Sequence, residues 1–63
     1  MKIVLETEER MHYIKLPFFD EYVPLEEDEK KGICKAEVEI EPEWLDDIKE
    51  KGEKLGFKVK KSR

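Results

Sequence analysis

The sequence predicts an α+β fold: a small mixed four-stranded sheet with one helix on one face, in the order β-β-(long loop)-β-α-β. Three observations carry this expectation. Residues 33–41 read I-C-K-A-E-V-E-I-E, placing Cys34, Ala36, Val38 and Ile40 on one side of a strand and Lys35, Glu37 and Glu39 on the other. A period of two marks a half-buried strand. Trp44, Leu45, Ile48, Gly52 and Leu55 then recur at helical spacing on one stripe. Phe57 and Val59 alternate with Lys58 and Lys60, which gives a short closing strand.

Taken from the start, residues 2–7 form the first strand, with Ile3 and Leu5 on one face and Val4 on the other. Glu8, Glu9 and Arg10 make a polar break. Residues 11–16 read as a second strand, joined to the first in the simplest arrangement by a hairpin, although no Asn-Gly or Asp-Gly turn enforces one. Pro17 ends that strand, because proline cannot donate to a ladder. Residues 18–31 form a connection unusually long for so small a domain, and such connections tend to have a task.

The helix begins at Pro42, where a missing N–H costs nothing. Glu43, Asp46 and Asp47 crowd its start, while Lys49, Lys51 and Lys54 come later, as the helix dipole favours. Asp47 with Lys51 and Glu50 with Lys54 are acid-before-base pairs four apart, each contributing roughly 0.2–0.5 kcal/mol. Gly52 sits on the apolar stripe at a cost of about 1 kcal/mol against alanine, which predicts a close approach of helix to sheet. Gly56 is a natural left-handed stop.

At 63 residues, the chain reads as one domain, residues 1–63. A chain this short buries only about 60% of its extended surface, so its core is thin. Charged residues make up 48% of it, and Asn and Gln are absent. That composition matches proteins of thermophiles, whose surface ion-pair networks gain value with temperature. The opening residues meet acid too early for a secretory signal, and no apolar run reaches spanning length, so a cytoplasmic protein with no membrane contact is expected.

No residue pattern points to catalysis. Cys34 lies on the apolar side of its strand and His12 is the sole histidine, so a thiolate–imidazole pair has little to build on. One Cys and one His cannot make a structural zinc site. The acids Glu41, Glu43, Asp46 and Asp47 are explained by the helix start, and Gly32, Gly52 and Gly56 form no phosphate-binding loop. The expectation is a protein that is not an enzyme and uses no cofactor.

What remains is association. One helix shields one face of a four-stranded sheet, leaving Val4, Ile33, part of the second strand and the aromatic loop to be covered by the loop itself or by another chain. An uncovered apolar patch marks an interface, and oligomerisation is a common remedy for thin cores. The leading expectation is a protein-interaction module, self-associating as a homodimer or binding another protein. Its interface would lie at or near Phe18, Phe19, Tyr22, Val23 and Leu25, where aromatics stand beside acids. The alternative is a small nucleic-acid-binding or regulatory protein using the basic end, Lys58, Lys60, Lys61 and Arg63, within a chain of net charge −4.

Overall fold

A computed structural model describes residues 1–62. In chain order the elements are β1 (Lys2–Thr7), β2 (Tyr13–Ile14), β3 (Val23–Pro24), β4 (Glu26–Asp28), β5 (Ile33–Glu39), a 3-10 turn (Pro42–Trp44), α1 (Leu45–Lys54) and β6 (Lys58–Lys61). The main sheet has the order β4-β5-β1-β6, and β2 and β3 form a second sheet of two strands. The α+β class, the four-stranded sheet and the single helix are those read from the sequence.

Side-chain alternation sets the register. Ile3, Leu5 and Thr7 of β1 point to the core, and their partners across β5 are Val38, Ala36 and Cys34, while Val59 of β6 stands opposite Leu5. Ile3 and Leu5 are fully buried, as a central strand allows. The ladder runs on past its ends: Ile40 N–H donates to Met1 O at 2.8 Å, and Ser62 N–H donates to Lys2 O at 2.9 Å.

Helix α1 lies on this inner face. Ile48 and Gly52 are its buried residues. A Cβ at Gly52 would stand 3.0 Å from Val59 Cγ2 and 3.6 Å from Leu5 Cδ2, so the glycine is there for close approach. Gly56 stops the helix at φ 86°, with Gly56 N–H donating to Glu53 O at 3.1 Å. The core joins Ile3, Leu5 and Ala36 of the sheet, Ile48 of the helix, and Ile40 and Phe57 at its flanks to Ile14, Leu16 and Val23 from the segment between β1 and β4.

The connections differ from expectation in three ways. Residues 11–16 do not make a hairpin with β1. The polar break Glu8–Arg10 offers no residue suited to a tight turn, and Tyr13–Ile14 pairs instead with Val23–Pro24. Nor is all of residues 18–31 loop: Glu26–Asp28 is an edge strand on β5, closed through a turn in which Gly32, at φ 66°, donates its N–H to Asp28 O at 2.8 Å. Finally, β5 and β6 run parallel to each other and are joined through α1, but β1 inserts between them. Every neighbouring pair in the sheet is therefore antiparallel, where a mixed sheet was expected.

Candidate interaction surfaces

The aromatic segment is shaped by two buried anchors. Leu16 is in the core and Phe19 packs against it, and Phe19 N–H donates to Leu16 O at 3.3 Å. The residue between Pro17 and Phe19 must then turn outward, and Phe18 does so with φ 71°, a region that bulky L-residues avoid. Its ring stacks on Trp44 with centroids 5.1 Å apart and planes 13° from parallel, while Phe19 meets Trp44 edge-on at 6.4 Å. The Lys15 ammonium donates to Phe19 O and ties down the same turn.

A second ring pair stands on the small sheet. Ile14 and Val23 face each other across β2 and β3 and are buried. Period-two alternation turns Tyr13 the other way, and Tyr22 meets it edge-on at 6.5 Å. Tyr13 is 65% exposed, Phe18 55% and Tyr22 67%. Of the residues expected at an interface, Phe18 and Tyr22 are thus open to solvent, Phe19 is partly buried, and Val23 and Leu25 serve the chain's own core. Tyr13 and Trp44 pair with these rings, although the sequence places Trp44 on the helix's apolar stripe and points to neither as an interface residue. Alternation with Ile14 was the signal for Tyr13, whereas the Trp44 stack is a tertiary contact.

The outer face of the sheet is a charged lattice. Register places Glu26, Lys35, Glu6 and Lys58 in one row across all four strands, alternating in sign at each step. Lys60 Nζ lies 3.4 Å from Glu6 Oε2, Lys2 Nζ lies 4.0 Å from Glu37 Oε1, and Lys35 Nζ lies 4.0 Å from Asp28 Oδ2. Only Val4 and Ile33 interrupt it with apolar groups, each half-buried. The expected surplus of apolar surface on this face is reduced, because Ile14, Leu16 and Val23 join the same core cluster as Ile48 of α1.

The remaining candidates are dispersed. Cys34 is buried at 4% exposure and His12 is exposed. No group of three or more His, Cys, Asp or Glu side chains among the described residues could hold a metal ion. Lys58, Lys60 and Lys61 lie on β6, the free edge of the main sheet. Arg63 lies outside the described residues. No helix among the described residues is long and apolar enough to cross a membrane. The chain matches no protein-family model, no curated protein and no solved structure.

Proposed function

We propose that this protein is a non-catalytic interaction module that self-associates as a homodimer through the rings of Tyr13, Phe18 and Tyr22. One observation carries the reading: a bulky residue is held at φ 71° with its ring stacked on Trp44 and more than half exposed. A non-glycine residue in this region carries backbone strain, and that strain displays a ring that burial inside the chain would have hidden. Fixed aromatic rings give large contact area at small entropic cost, since little freedom remains to be lost on binding. Aromatic anchors of this kind dominate the energetics of protein interfaces.

Nucleic acid is a poorer fit to the same molecule. Lys58 and Lys60 stand in rows with Glu6, Glu26 and Glu37, so the positive field that phosphate needs is broken by acids on the same face. Amide spectra recorded over a dilution series test the proposal. Shifts that depend on protein concentration are expected at residues 12–24 and around Trp44. A dimer whose shifts map instead to the charged face of the sheet would overturn it.

A further inference from the structure

The main sheet has two edge strands, β4 and β6. On the β4 side, the chain's own residues come close: Leu25, just before β4, donates its N–H to His12 O at 2.9 Å, and the exposed Arg10 guanidinium lies 3.4 Å from Glu27 Oε1. Beside β6 the described residues make no such contact on the outward side. In an antiparallel ladder only alternate residues bond a given neighbour. Ser62 N–H donates to Lys2 O, which fixes the phase: Lys60 and Lys58 bond Val4 and Glu6 of β1. The N–H and C=O groups of Val59 and Lys61 therefore point away from the sheet, ready for another strand.

The side chains along this edge state what that strand must be. The row Glu26, Lys35, Glu6, Lys58 alternates in sign and ends on a lysine, so a further strand continues the alternation by placing an acid beside Lys58. Lys60 sits on the same face two residues on. A second copy of β6 brings lysine against lysine, a destabilising cross-strand arrangement that natural edges use to prevent self-pairing. On the other face the half-buried Val59 favours an apolar neighbour.

We infer that β6 docks an extended acidic segment of another protein by strand addition, with acids at alternate positions beside Lys58 and Lys60 and backbone bonds to Val59 and Lys61. This is a known mode of peptide recognition, in which main-chain bonds give affinity and alternate side chains give specificity. The site is separate from the aromatic surface and does not depend on it.

The probe is a fluorescent hexapeptide alternating Glu and Val, with a Lys–Val hexapeptide and a single-stranded oligothymidylate as comparators. Anisotropy should show binding of the Glu–Val peptide alone, weakened at least tenfold by Lys58→Ala combined with Lys60→Ala. Lys61→Pro removes one outward N–H without touching the β1 ladder and should weaken binding more than Lys61→Ala does. In amide exchange on the unaltered protein, the peptide should protect Val59 and Lys61 and leave Lys58 and Lys60 unchanged. Equal protection along the strand, equal effects of proline and alanine at 61, or tighter binding of the oligonucleotide would each overturn the inference. Failure here leaves the aromatic dimer untouched, because every readout is confined to β6.

Discussion

The ring of Phe18 lies stacked on the indole of Trp44, centroids 5.1 Å apart, although the backbone of Phe18 is at φ 71°. Two opposed terms meet in this pair. The left-handed conformation costs a non-glycine residue roughly 1–2 kcal/mol, and an aromatic stack returns about 0.5–1.5 kcal/mol. Glycine at position 18 loses the stack and also the strain, while alanine loses the stack and keeps the strain. Phe18→Gly should therefore leave stability within about 1 kcal/mol of the parent, with Phe18→Ala the less stable of the two. Urea unfolding of both variants checks this order, which is the reverse of the usual alanine-over-glycine preference.

Leu16 tests whether the segment between β2 and β3 belongs to the core. It is among the largest fully buried side chains, and Leu→Ala in a core costs about 2–5 kcal/mol. A domain of this size has a total stability of roughly 3–9 kcal/mol. Leu16→Ala should thus remove a fifth or more of the folding free energy, by denaturant titration. A loss below about 1 kcal/mol would mean that residues 14–25 do not close the inner face.

Gly52 and Val59 are coupled by space. Alanine at 52 gains about 1 kcal/mol of helix propensity but places its methyl 3.0 Å from Val59 Cγ2, and overpacking costs about 1–3 kcal/mol. Gly52→Ala alone should be neutral to destabilising by about 2 kcal/mol. In a Val59→Ala background the same change should stabilise. A double-mutant cycle measures the difference, and additivity would refute the contact.

Glu6 sits between Lys35 and Lys58 in the charged row and 3.4 Å from Lys60. Glu6→Lys sets like charges directly opposite one another on both sides, each such pair costing up to about 1 kcal/mol. The variant should be destabilised by about 1 kcal/mol at low salt. Much of that loss should vanish in 1 M NaCl, where the screening length is about 3 Å.

Much of this architecture was legible because each signal was local. The period-two run of β5, the helical stripe through Ile48 and Gly52, and Gly56 as a stop all appear where the residues placed them. The pairing of distant segments was not legible. Glu26–Asp28 contains no apolar residue and reads as loop, yet it is a strand because Gly32 turns it back onto β5. For Tyr13–Ile14 a hairpin with β1 is the shortest connection, but Ile14 and Val23 are buried together across the small sheet instead. The charged rows emerge only once register is known, and they show that the back of the sheet needs no cover. The aromatic residues were visible by composition, but which rings face outward depends on the anchoring of Leu16 and Phe19.

Sedimentation equilibrium of the unaltered protein beside a Tyr13→Ser, Phe18→Gly, Tyr22→Ser variant tests the central claim most directly. The account predicts a concentration-dependent monomer–dimer equilibrium for the former. In the folded variant, the dissociation constant should rise at least tenfold, equivalent to about 1.4 kcal/mol. A strict monomer at millimolar concentration, or a dimer that the three substitutions leave unchanged, would contradict it.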